Sequence, residues 1–246
     1  MGTDTISNAL NQELGRVVKS TRTDTLNLKN KWTAKLLEVL EQHAVEEKKV
    51  LLNESLSQQG KQQALATFAT NETAPQLKWV RNLVKDREQA DQGYRTQFYT
   101  IDSGIKDAAV RMPTFTYLWS KLDTLDLTGR ITRFTQAAEK NEVVVMTGML
   151  ENPLGQMVNE DVKERALTER AKRLFPQHYE NFEQNAYLLE FLRTYRNWIG
   201  RWLADEVGVE VKVIRENLGD EIADVLTVQR TGVRPETDTQ LVGASK

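Results

Sequence analysis

The chain carries few side chains of the kinds that perform nucleophilic or metal chemistry. It has two histidines, His43 and His178, and no cysteine, which excludes disulfides, thiolate metal sites and cysteine nucleophiles. Glu46 and Glu47 follow His43 at spacings that bring side chains together on a helix. A helical-bundle metal site needs a Glu-x-x-His pair on each of two helices, and neither histidine has a glutamate three residues before it. We therefore expect no metal centre and no cofactor.

Sequence motifs that would indicate a catalytic centre are also absent. The chain has no Gly-x-x-x-x-Gly-Lys-Ser/Thr loop, no Gly-x-Gly-x-x-Gly after a predicted strand and no Gly-x-Ser-x-Gly turn. Phosphate cradles, dinucleotide sites and the commonest serine hydrolase geometry therefore have no support. The 35 acidic residues leave one enzyme class open, because carboxylates that pair in space cannot be recognised in a sequence. We predict a non-enzymatic protein, with an enzyme that uses a carboxylate site as an alternative.

The strongest local positive charge lies on a helix that is predicted to begin after Asn159, a good N-cap residue. Its candidate phosphate-contacting residues are Lys163, Arg165, Arg170, Lys172 and Arg173. Glutamates are interleaved with these residues and weaken their field. The chain as a whole has a net charge of −2, so no global positive field attracts nucleic acid. A solvated surface is the simpler interpretation, and a phosphate-contacting face or an acidic protein partner are the alternatives.

The densest aromatic stretch runs from Glu183 to Val207. At about 100° per residue, its apolar side chains cover an arc of roughly 200°, which is about twice the minimum for a surface helix. Such a helix needs cover from several neighbouring helices or from a partner chain. The stretch is therefore either the central core helix or a protein interface. The candidate interface residues are Tyr195, Arg196, Trp198 and Trp202.

The remaining apolar spacing predicts a mainly α protein, a multi-helix bundle-like domain. Apolar residues at three- and four-residue spacing predict long helices at about 26–57 and 177–207, and Thr73 with Gln76 resembles a capping box. A valine run at 143–146 and alternating valines at 209–214 predict at most a minor β element.

We expect a single helical domain over residues 1–228, followed by a polar tail at 229–246. Turn residues make the segment 141–159 an expected irregular loop and the one candidate place to subdivide the domain. No apolar run approaches the roughly 18 residues of a membrane span, and the N-terminal residues do not resemble a signal peptide. We therefore expect no membrane association and a cytoplasmic location, or a location in a particle assembled there.

These observations predict a soluble, structural or assembly protein that acts by packing against copies of itself or against other proteins. The wide apolar arc of the stretch 183–207 and the long helix predicted at about 26–57 support this hypothesis. A subunit of a large complex, such as a phage particle, would be one concrete form. The alternative is a nucleic-acid-associated protein that uses the basic face at 163–173.

Overall fold

The computed structural model describes residues 23–153 and 157–231. The α-helices are α1 (Thr23–Leu52), α2 (Gln58–Phe68), α3 (Ala74–Gln76), α4 (Lys78–Tyr99), α5 (Ala108–Leu122), α6 (Leu127–Lys140), α7 (Val143–Leu150), α8 (Glu160–Leu174), α9 (Pro176–Arg201), α10 (Val211–Leu218) and α11 (Asp220–Thr231). Two π-helical segments, Ala69–Thr73 and Trp202–Val207, directly follow α2 and α9. The predicted mainly α, bundle-like fold is confirmed. No helix in the described ranges is both long and apolar enough to cross a membrane.

Both predicted long helices are present, with small changes in their bounds. The helix predicted at 26–57 is α1, which ends at Leu52. Just beyond it, the Asn53 side chain accepts hydrogen bonds from the amide and hydroxyl of Ser55, a local turn that competes with further helix. The helix predicted at 177–207 is α9 together with the π-helical segment that follows it.

The minor β element predicted at 143–146 and 209–214 is wrong, because no strand occurs anywhere in the described ranges. The valine run forms α7, where Met146 and Met149 are buried at a helical spacing. Residues 211–214 of the second segment form the first half of α10, which buries Ile214 and Leu218, four residues apart. The preference of valine for strands depends on context, and the tertiary packing of the two helices outweighs it at both places.

The described residues divide into two compact units. Unit 1 comprises 23–88 and 186–231, and unit 2 comprises 89–153 and 157–185. Both boundaries fall inside helices, α4 and α9, and neither falls in 141–159, which was the predicted subdivision. That segment is also not an irregular loop throughout, since it contains α7. The single domain predicted over 1–228 stays a prediction.

The polar tail predicted at 229–246 lies mostly outside the described residues. Its first three residues, 229–231, belong to α11, which continues to Thr231.

Unit 1 is built around the later part of α9. Ten of the 24 buried apolar residues of its core lie between Tyr187 and Ala204. The ring of Phe191 lies 6.5 Å from that of Trp32 in α1 and 4.4 Å from that of Tyr195, measured between centroids. The aromatic stretch therefore supplies more of this core than any other segment does.

Unit 2 has its own core, which holds α6, α7 and α8 in place. Phe134 of α6, Met146 and Met149 of α7, and Leu167 of α8 are almost fully buried in it. A Cβ atom added at Gly148 would lie 2.4 Å from the Leu118 side chain, so α7 and α5 approach closely at this point.

Candidate functional site

A groove of about 550 Å³ lies between α6 and α8 in unit 2. Aliphatic side chains form much of its surface, and charged side chains border it. The lining residues are Ile131, Thr135, Ala138 and Glu139 of α6, and Val162, Arg165, Ala166, Glu169, Arg170 and Arg173 of α8. On each helix they recur at three- and four-residue spacing, so each helix presents one face to the groove.

Local sequence signals determine where the two helices begin. At the start of α6, the Asp126 carboxylate accepts a hydrogen bond of 2.7 Å from the Gly129 amide. At the start of α8, the Asn159 side chain accepts one of 2.9 Å from the Val162 amide. Both residues are N-caps that satisfy backbone donors of the first turn. The cap predicted at Asn159 is thus confirmed.

Two arginines of α8 anchor the end of α6. Arg170 Nε donates to the Asn141 side-chain oxygen at 2.9 Å, and Arg173 Nη2 donates to the Ala138 carbonyl at 2.8 Å. Asn141 ends α6 in the left-handed conformation, with φ of 56°. Cations are favourable at a helix C-terminus, where carbonyl groups lack helical partners. These two guanidinium groups therefore have a structural role. The same hydrogen bonds hold both groups beside the groove.

The groove lining carries a small excess of positive charge. Burial, and then the neighbouring charge of Arg173, lower the pKa of Arg170. Arg165 is exposed, and it makes no hydrogen bond or ion pair within the described chain. Of the two glutamates in the lining, Glu169 lies 3.2 Å from the Lys172 ammonium. Three arginines against two glutamates leave the lining with a formal charge of +1.

The structure separates the five predicted phosphate-contacting residues into two groups. Arg165, Arg170 and Arg173 line the groove, whereas Lys163 and Lys172 do not. The Lys163 ammonium lies 2.8 Å from Glu160, and that of Lys172 also lies over the Tyr179 ring. Each of the two lysines is thus paired with a neighbouring side chain. The five residues do not form one continuous face of free cations, and phosphate binding by them stays a prediction.

The four candidate interface residues lie close together in unit 1, where most of their surface is covered. Tyr195, Arg196 and Trp202 are buried, and Trp198 is half-buried against Trp202, with parallel rings 6.4 Å apart. Tyr195 shares a hydrogen bond with the Thr33 hydroxyl, and burial raises the pKa of Tyr195 to about 12. Core packing therefore accounts for their positions, and their role in an interface stays a prediction.

The sequence did not indicate a second cavity, of about 140 Å³, beside His43 in unit 1. His43 is buried, its Nδ1 lies 3.0 Å from the Thr73 hydroxyl, and its ring meets that of Trp202 edge-on at 4.9 Å. The prediction of a capping box at Thr73 is wrong. The backbone of Thr73 is helical, and its hydroxyl contacts His43 and caps no helix in the described ranges. Both π-helical segments thus contribute a residue here, an arrangement frequent at functional sites.

The groove in unit 2 and the cavity beside His43 differ in their lining residues. In the described ranges, no group of three or more histidine, aspartate or glutamate residues could hold a metal ion. The groove in unit 2 combines aliphatic contact area with guanidinium donors, which suits binding of an apolar ligand that carries an anion.

No family model matches the chain, and no curated protein or solved structure matches it.

Proposed function

We propose that this chain is a non-enzymatic assembly protein that works by binding other protein chains, and that the groove of unit 2 is its binding surface. The observation that carries the proposal is the groove itself, an open cavity of about 550 Å³ on two packed helices. Apolar grooves between helices commonly receive a helix of a partner, whose apolar side chains enter the groove. An assembly role also agrees with the helical architecture of the chain.

The dimensions of the groove suit a short helical segment. On α8 the lining residues extend from Val162 to Arg173, which corresponds to roughly 16 Å at 1.5 Å per residue. A partner helix of about three turns has this length. The floor residues Ala138 and Ala166 have small side chains, so a partner's larger aliphatic side chains can approach the backbone of both helices.

The described lining contains no activated hydroxyl nucleophile. It contains alanine, valine, isoleucine, arginine and glutamate, and its one hydroxyl belongs to Thr135. That hydroxyl donates to the Ile131 carbonyl of its own helix at 3.0 Å, and no histidine lies in the lining to serve as its base.

A matched pair of substitutions on α6 tests the proposal. Thr132 and Thr135 each donate a hydrogen bond to the carbonyl four residues earlier, but only Thr135 lines the groove. Partners are first identified by crosslinking to the full chain in lysate of the source cells, and their binding is then measured with purified components. We expect Thr135→Trp to fill the groove and weaken binding by at least about tenfold, whereas Thr132→Trp binds like the unsubstituted chain.

Two results would count against this function. One is a partner that binds both tryptophan variants equally. The other is a monomer by size-exclusion chromatography with light scattering, together with no partner recovered. Circular dichroism of both variants provides the control for folding.

A further inference from the structure

We propose that the segment bound in the groove is acidic, and that its aspartate or glutamate carboxylates pair with Arg165, Arg170 and Arg173 while its apolar side chains contact the groove floor. This inference rests on the proposed function and specifies the chemistry of the partner. It predicts an amphipathic helix with one apolar face bordered by carboxylates.

The positions of the arginines are the first argument. One N–H of Arg170 is held by Asn141 and one of Arg173 by the Ala138 carbonyl. A guanidinium has five N–H donors, so each group keeps donors for a ligand while its position is already fixed. Arg165 lies on the same helix face and is not engaged by any side chain in the ranges that the structure describes. A carboxylate can accept two parallel bonds from such a group.

The electrostatic state of the groove is the second argument. Burial and the charge of Arg173 both disfavour the charged form of Arg170, and this lowers its pKa. A carboxylate placed between the two groups would reduce their repulsion and restore hydrogen bonds that burial removes. The two carboxylates of the lining do not supply this compensation, because Glu169 lies against the Lys172 ammonium and Glu139 makes no ion pair with an arginine in the described ranges.

The apolar floor favours a protein segment over a polynucleotide. Ile131, Val162 and Ala166 offer aliphatic surface, whereas a phosphate backbone is bound chiefly by several separate cations. The cations that would extend the groove along such a backbone, Lys163 and Lys172, are engaged by neighbouring glutamates. A carboxylate beside apolar side chains matches both parts of the lining.

The test uses the full chain and two synthetic 14-residue helical peptides. Both carry leucines at the same positions, and their charged positions are all glutamate in one peptide and all lysine in the other. Fluorescence anisotropy measures their binding to the unsubstituted chain, to Arg165→Glu and to Arg201→Glu. Arg165 is chosen because it anchors nothing in the described chain, and Arg201 is an exposed arginine of unit 1.

We expect the glutamate peptide to bind the unsubstituted chain and the lysine peptide to bind at least about tenfold more weakly. Arg165→Glu should lose about tenfold for the glutamate peptide and gain for the lysine peptide, while Arg201→Glu leaves both unchanged. Equal binding of the two peptides, abolished by Thr135→Trp, would overturn the acidic partner and leave the groove function intact. If neither peptide binds, the acidic partner is rejected, and the crosslinked partners decide the groove function separately. Displacement of the glutamate peptide by a 20-nucleotide single-stranded DNA, with steep salt dependence, would instead assign the groove to phosphate polymers.

Discussion

His43 has only 4% of its surface exposed. Its ring lies among Phe68, Thr73 and Trp202, which favours the neutral imidazole. Burial lowers the pKa of His43 from its ordinary value of 6.5, and the charge of Glu47 opposes this shift. Glu206 also borders the cavity beside the ring. The folded chain therefore binds a proton at His43 less readily than the unfolded chain does.

The stability of unit 1 should consequently decrease in acid. The contribution of His43 to the free energy of unfolding is complete above pH 6.5 and is lost as the pH falls below 6.5, by at most about 1.4 kcal/mol per pH unit. Urea unfolding at pH 7.5 and 5.5 measures this loss, which should be smaller in His43→Gln. The matched variant His178→Gln removes an exposed histidine and should retain the loss of the unsubstituted chain. Equal losses in all three proteins would contradict the explanation.

Arg196 is the charged residue within the apolar arc of α9. Its side chain is 7% exposed and pairs with Glu221, whose side chain is 63% exposed. Its Nε atom is buried and has no hydrogen-bond partner in the described part of the chain. Removing one member of such a pair leaves a buried charge without compensation, whereas replacing the charge with an apolar side chain of similar volume can be neutral.

The two members of this pair should therefore respond differently to substitution. We expect Glu221→Gln to lower the free energy of unfolding by about 1–3 kcal/mol and Arg196→Met to change it less. Urea unfolding measures both, and Glu216→Gln, an exposed position on α10, is the control. A larger loss in Arg196→Met than in Glu221→Gln would show that the charge itself stabilises the fold.

The starts of helices could be predicted from local sequence signals. The helical state of the two short elements α7 and α10 could not. Asn159 and Pro176 stand at the starts of α8 and α9, as their chemistry predicts. The valine-rich residues 143–146 favour a strand locally, yet they form α7. A capping side chain acts on its own helix turn, so the sequence records it. The helical state of α7 depends instead on packing against α5 and α6, and the residues of α7 alone do not record that packing.

Close contact between helices also determines how substitution of a helical glycine changes stability. In α9, a Cβ added at Gly200 would lie 2.5 Å from Cγ1 of Ile222 in α11, whereas one added at Gly93 in α4 would meet nothing within 4 Å. Gly200→Ala should lower the free energy of unfolding by about 1–3 kcal/mol, because the stiff isoleucine must move. Gly93→Ala should raise it by about 0.5–1 kcal/mol, since alanine restricts the unfolded chain. Thermal or urea unfolding measures both, and stabilisation by both substitutions would contradict the packing argument.

At the scale of the whole molecule, the described residues form two units with separate cores. The boundaries lie at 88/89 and 185/186, within α4 and α9. Neither boundary carries the proline- or glycine-rich composition by which a linker is recognised. The sequence could not predict them, because they depend on which side chains pack together. Charge shows a similar contrast, since a chain with a net charge of −2 contains a groove whose lining carries +1.

The sequence by itself determined the mainly helical fold, the two long helices and the aromatic stretch that supplies the core of unit 1. Apolar spacing and capping residues act within a few residues of each other, and for this reason they can be recognised in the chain. The sequence also identified Arg165, Arg170 and Arg173 as candidate binding residues. It grouped them with two lysines, which the structure places outside the groove.

Only the tertiary structure decided that these arginines border an apolar groove. The contacts that place them join residues far apart in the chain: Arg170 with Asn141, 29 residues away, and Arg173 with Ala138, 35 residues away. The burial of His43 likewise depends on Trp202 at the other end of the chain. Spacing determines which side chains share a helix face, but the packing of distant helices determines what that face meets.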